Sequence, residues 1–282
     1  MNLDLLQKAV EEIKSEIGLT VKNATYKEKD YTDGLSAKTA LIRSETLIQR
    51  VHEVTKISLH IELKKRQIEH NIHPPIGTTS PELDVWGLLK KKKQDIVVLF
   101  DEPSRELIND GPLKGQYDEL GKTATKKAIV LGIRSQLSSV AKNFDTLMER
   151  AFAETLNLRL RHPRLVMSEV YMLAVKEYDE QQMKNNTIAW KNQYTKVEKF
   201  ISIFNAMNHR TNSDNISEAY KYERSVLLLV DFSTNPVKIY KDISELKKDG
   251  VITPSFSENY DKLSPRGFSK DIIDSYKERH KD

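Results

Sequence analysis

Asp95 stands in the strand-like run Gln94-Asp95-Ile96-Val97-Val98-Leu99-Phe100, directly after four consecutive lysines, Lys90 to Lys93. A second apolar run, Ala128 to Ile133, leads into a basic-polar block, Arg134-Ser135-Gln136-Leu137-Ser138-Ser139. A carboxylate on one strand and a cation with an amide leaving another suit metal-dependent phosphodiester chemistry. Hard Mg²⁺ takes carboxylate oxygens and water, activates that water and neutralises charge on the pentacovalent phosphate. Arg134 or Gln136 can orient the attacking water and offset developing charge, and Arg134, permanently protonated, can do so without acting as a base. Ser138 or Ser139 is also placed to cap a helix beginning at Val140, and a helix N-terminus is itself a phosphate site.

The elements that must position these residues follow from periodicity. A helix is expected from Val140 to about Leu160, with Phe144, Met148, Ala151 and Phe152 as its core stripe and Lys142, Asp145 and Glu149 on another face. A β-rich run from Leu165 to Val175 follows, interrupted by Glu169, which is either turned inward and paired or metal-bound, or turned to solvent. Upstream, residues 2–18 read as a helix ending at Gly18, and Ser36 is expected to cap a long helix from Ala37 to about His70. On that helix the stripe Leu41, Ile48, His52, Leu59 and Leu63 contains Glu45, read either as directed inward or as exposed beside Arg43 or Gln49. His70 and His73 flank a proline-broken helix end, a solvated corner rather than a metal site. Leu83 to Leu89 is expected to pair with the Asp95 strand as a hairpin with a basic tip or edge. Val197 to Met207 reads as an amphipathic helix, Ser225 to Phe232 as a buried strand, and the tail from Asp242 as two short helices.

Composition narrows the chemistry. With 282 residues and no cysteine, disulfides, thiolate nucleophiles and cysteine zinc sites are excluded, so any metal must sit on oxygen or imidazole. No apolar run approaches the roughly 20 residues of a membrane span, and a cytoplasmic protein without membrane association is expected. A net charge of +4 argues only weakly for a polyanionic partner. Local clusters argue more: Lys90 to Lys93, Lys126-Lys127 and Arg159-Arg161-Arg164 flank the central elements, although each can equally be a solvated loop. Gly121-Lys122-Thr123 imitates the end of a phosphate-binding loop, but position 116 is Gln116 where that loop needs glycine, so a nucleotide-binding loop is rejected.

The order long helix, strands near 83–89, 94–100 and 128–135, helix, strand at 165–175 resembles the core of the PD-(D/E)XK nucleases, the fold of most type II restriction endonucleases. The blocks Gln94 to Val98 and Gly132 to Ser139, with Lys142-Asn143 and Glu149-Arg150, carry the resemblance. It implies an α/β fold with a restriction-endonuclease-like core, a central mixed β-sheet flanked by helices and an N-terminal helical segment. The corresponding division is residues 1–35 as that segment, 36–245 as the core and 246–282 as a C-terminal helical tail packed on it. It further implies that Asp95 matches the family's second-strand aspartate. The acidic-x-lysine slot of the third strand reads Gly132-Ile133-Arg134 or Arg134-Ser135-Gln136, a departure from the pattern. The missing carboxylate is then expected from the following helix, with Glu149 first and Glu154 or Glu169 behind it, so that Asp95, Glu149 and Glu45 would hold Mg²⁺. Lys92, Lys93, Ser135, Ser138, Ser139, Lys142 and Asn143 are the expected DNA contacts. Cutting both strands of double-stranded DNA takes two sites, which implies a homodimer or a paired subunit, and a companion methyltransferase is a further expected partner. The alternative is a nuclease fold that has lost catalysis and only binds DNA.

Overall fold

The computed structural model describes residues 1–281, and for Ala141 and Asn143 the description stops at the backbone. In chain order the elements are α1 (Leu3–Asn23), the hairpin β1 (Thr25–Tyr26) and β2 (Lys29–Asp30), α2 (Gly34–Arg43), α3 (Thr46–Lys65) and β3 (Asn71–His73). A ribbon of β4 (Leu83–Trp86) and β5 (Lys91–Gln94) precedes β6 (Ile96–Leu99), the hairpin β7 (Glu106–Leu107) and β8 (Tyr117–Asp118), α4 (Gly121–Lys126) and β9 (Ile129–Gln136). Then come α5 (Val140–Arg159), β10 (Val166–Ala174), β11 (Lys176–Tyr178), α6 (Glu180–Lys184), β12 (Trp190–Tyr194) and α7 (Val197–Ala206). β13 (Arg224–Asp231), β14 (Lys238–Ile239), α8 (Ile243–Lys248) and α9 (Phe268–Arg279) complete the chain.

The central sheet has six strands in the order β14-β13-β10-β9-β6-β3. β9, β10 and β13 run parallel, and β3, β6 and β14 are antiparallel to their neighbours. The middle strands are almost wholly buried, as expected where helices cover both faces of parallel strands. One face packs on α1, α3 and α9; the other packs on α5 and α7. α1 shows why the first face is firm: Leu6, Val10, Ile13, Ile17 and Val21 recur on one side and all are fully buried. Each contributes about 1.5–3 kcal/mol relative to exposure. Asn2 caps this helix by accepting from the Asp4 and Leu5 amides.

Several expectations are corrected. The long helix expected from Ala37 is two helices, broken at Ser44-Glu45, where Glu45 takes a left-handed φ of 61°. Asp33, rather than Ser36, caps α2, its carboxylate accepting from the Ser36 amide. α1 runs through Gly18 to Asn23. The His70–His73 corner contains β3, which pairs with β6 and is one of the sheet's two edge strands. The strand expected at 83–89 therefore belongs not to the sheet but to the β4–β5 ribbon, which is the expected hairpin with a basic edge, Lys91, Lys92 and Lys93 lying along β5. Phe152, expected in the core stripe of α5, is 43% exposed and stacks on Tyr220. The polar segment 178–193 holds the short helix α6 and part of the β11–β12 ribbon. Among the described residues no helix is long and apolar enough to cross a membrane.

Candidate active-site cleft

Asp95 sits at the break between β5 and β6, where the chain leaves the lysine ribbon and joins the sheet. β6 pairs antiparallel with β9 from Ile96↔Leu131 onward, which sets Asp95 beside Gly132-Ile133. Its Oδ2 accepts from the Ile133 amide at 2.5 Å. Because side chains alternate along a strand, Arg134 shares a face with Gly132, and that face looks toward α5. Asp95, Arg134, Lys92 and Glu154 thus line one cleft of about 370 Å³, with His52 of α3 on its other wall and Glu45 at its rim.

Glu154 organises the cleft. It lies one turn from Ala151 and from Leu158, both buried, so its stem packs while its carboxylate reaches inward. It accepts from Arg134 Nη2 at 2.6 Å and Gln94 Nε2 at 3.3 Å, and pairs with the Lys92 ammonium. Beneath Arg134, on β10, lies Glu169, whose backbone is in register with Gly132. A Cβ on Gly132 would stand 2.5 Å from Glu169 Oε2, so the carboxylate occupies the space that a side chain on Gly132 would fill. Arg134 Nε lies 3.3 Å from Glu169 Oε1, close enough for an ion pair but not aligned as a hydrogen bond, which leaves Oε1 without a donor. Tyr222 donates to Oε2 at 3.3 Å.

Burial dominates the electrostatics here. It pushes the Glu169 carboxyl above its ordinary value, opposed by Arg134. Desolvation, reinforced by the Arg134 charge, lowers the Lys92 ammonium to about 8. His52 is held below its ordinary value by burial, with Asp95 pulling the other way, and its Nε2 has no hydrogen-bond partner. The inward charges, Asp95, Glu154 and Glu169 against Lys92 and Arg134, are close to balanced.

The structure brings together Asp95, Arg134, Ser135, Lys92, Lys93 and Glu45 of the expected site residues. Glu45 is exposed rather than part of a buried stripe. Gln136, Ser138 and Ser139 line a neighbouring cavity instead, where Gln136 Nε2 donates to the Ser138 carbonyl. Among the described residues neither Ser138 nor Ser139 caps α5 through its side chain; Glu177 does so, accepting from the Val140 amide at 3.0 Å. Glu149 and Lys142 are exposed and line neither cavity. Glu154 lies five positions after Glu149, about 140° around the helix. The side chain of Asn143 lies outside the described residues.

Among the described residues no three histidine, aspartate or glutamate side chains form a metal-ligand group. Asp95 and Glu154 nevertheless present carboxylate oxygens to one cleft, and Mg²⁺ typically uses one or two carboxylates while keeping several waters. Glu154 already holds Lys92 and Arg134, so metal binding there requires that pairing to loosen. His52 was not among the expected site residues and Glu149 was expected ahead of Glu154, although of these two glutamates only Glu154 continues the buried Ala151–Leu158 stripe. Comparison with protein-family models, curated proteins and solved structures finds no match to this chain.

Proposed function

We propose that this chain is a Mg²⁺-dependent type II restriction endonuclease, hydrolysing phosphodiester bonds in double-stranded DNA at a specific sequence. The observation that carries the reading is the convergence of Asp95, Glu154, Lys92 and Arg134 in one cleft. The element order supports it as well. With the β4–β5 and β7–β8 ribbons and α4 set aside as insertions, helix α3, the antiparallel strands β3, β6 and β9, helix α5 and the strand β10, parallel to β9, follow the helix-strand-strand-strand-helix-strand order that the PD-(D/E)XK resemblance implies. The first of the three strands is then β3 instead of the segment at 83–89.

Asp95 and Glu154 would hold Mg²⁺, which when bound lowers the pKa of its water and offsets charge on the phosphate. Arg134, fixed between Glu154 and Glu169, supplies permanent positive charge to the phosphate oxygens. Lys92 and Lys93 neutralise the DNA backbone at the cleft mouth. A homodimer or paired subunit would place two such clefts on the two strands, in a cytoplasmic system with a companion methyltransferase.

A second reading, a DNA-binding protein of nuclease fold without catalysis, is favoured by the pairing of Glu154 with two cations. Incubation of purified protein with bacteriophage DNA and Mg²⁺, with EDTA as control, separates the two. Discrete fragments support the nuclease; a salt-sensitive gel shift without cutting supports the binding protein.

A further inference from the structure

A second cavity, of about 490 Å³, adjoins the cleft and shares Ile42, Ser135 and Leu137 with it. Its walls are α2, the loop that leaves β9, and β11 with α6. Lys38 of α2 lines it, 2% exposed. The Lys38 ammonium has one long hydrogen bond, to the Leu137 carbonyl at 3.4 Å, and lies 4.4 Å from the centre of the Tyr178 ring. Among the described residues no carboxylate lies within ion-pairing distance of it.

A buried ammonium with donors to spare is costly unless an anion meets it. Two carboxylates, Glu177 and Glu180, line the same cavity, but both are already committed or solvated. Glu177 is held by Lys191 at 2.9 Å and by the Val140 amide, and Glu180 is exposed. The same walls carry the hydroxyls of Ser138 and Ser139, the exposed guanidinium of Arg43 and the Tyr178 hydroxyl, which is buried without a partner. We infer that this cavity binds a backbone phosphate of the polynucleotide adjacent to the one in the cleft, with Lys38 as its buried anchor and Arg43 at its mouth. The inference rests on the DNA-cleaving or DNA-binding reading of the cleft, with which the cavity is continuous. Burial lowers the Lys38 ammonium to about 8, partly restored by Glu177 and Glu180, which is the direction a phosphate would reverse.

Fluorescence anisotropy with a labelled random-sequence duplex, titrated with salt, tests it on Lys38→Met, Arg43→Gln and wild type. Lys38→Met is expected to weaken DNA binding about tenfold and to reduce the salt slope by about 0.9, the share of one phosphate contact. Its melting temperature should rise, since methionine removes a desolvated charge while keeping the packed stem. Arg43→Gln, at an exposed position, is expected to lower affinity and slope in the same direction. Wild-type affinity and slope in both variants would overturn the inference while leaving the cleft's reading intact. Absence of DNA binding by the wild type would instead overturn that reading. Inorganic phosphate raising the melting temperature of wild type but not of Lys38→Met, with DNA binding equal in the two, would assign the site to free phosphate and overturn its role in the DNA track.

Discussion

Replacing Gly132 with alanine probes the geometry beneath the cleft most sharply. In a strand interior, alanine is ordinarily favoured over glycine by about 0.5–1 kcal/mol, because glycine loses more conformational freedom on folding. Here the new methyl would stand 2.5 Å from Glu169 Oε2, so the carboxylate must retreat by about 1 Å to reach ordinary contact. That carboxylate is 2% exposed and held by Arg134 and Tyr222, which limits its retreat. Overpacking of this kind costs about 1–3 kcal/mol, so a net destabilisation of about 1–2 kcal/mol is expected in urea denaturation. Glu169→Asp withdraws the carboxylate by one methylene, and Gly132→Ala on that background should be neutral or stabilising. The double-mutant cycle should therefore return a coupling of about 1–2 kcal/mol. Stabilisation by Gly132→Ala in both backgrounds would show that Glu169 does not occupy the space over Gly132, and the account of how Arg134 is held would fail.

Other outcomes follow from the same physics. Glu223 is a buried carboxylate paired with Arg159, Arg210 and Arg279, so Glu223→Gln should cost about 3–5 kcal/mol by leaving three guanidiniums without their anion, read as a fall in the urea midpoint. Lys38 has a folded-state value of about 8 against an ordinary 10.5. Between those values the unfolded chain still holds a proton that the folded chain has released. Wild-type stability should therefore rise with pH across that window relative to Lys38→Met, by at most about 1.4 kcal/mol per unit; parallel urea midpoints for the two proteins would contradict this. Glu149→Gln should cleave DNA at the wild-type rate, because its side chain lines neither cavity, and a dead variant would return it to the site.

Much of the core was legible because its strands are long and apolar: the runs around 96–99, 129–136, 166–174 and 224–231 and the helix from Val140 appear where periodicity puts them. β3 was not, since the alternation of Asn71-Ile72-His73 spans only three residues before Pro74 and the segment becomes a strand by pairing with β6. The break at Ser44-Glu45 was hidden because the apolar stripe continues across it. At the site, the convergence of Asp95 with Arg134 followed from strand order, whereas the choice of Glu154 over Glu149 needed helix phase weighed against the Ala151–Leu158 stripe. The placement of Glu169 over Gly132 depends on cross-strand register, which no local pattern encodes.

In the proposed function Asp95 and Glu154 form a metal-dependent phosphodiesterase centre. Its most direct test is cleavage of bacteriophage DNA in Mg²⁺ by wild type, Asp95→Asn and Glu154→Gln, with folding of each checked by circular dichroism. Discrete EDTA-sensitive fragments from the wild type and none from either variant, with DNA binding retained by both, is the expected result. Cleavage by both variants at the wild-type rate, or no cleavage by a wild type that binds DNA, would contradict it.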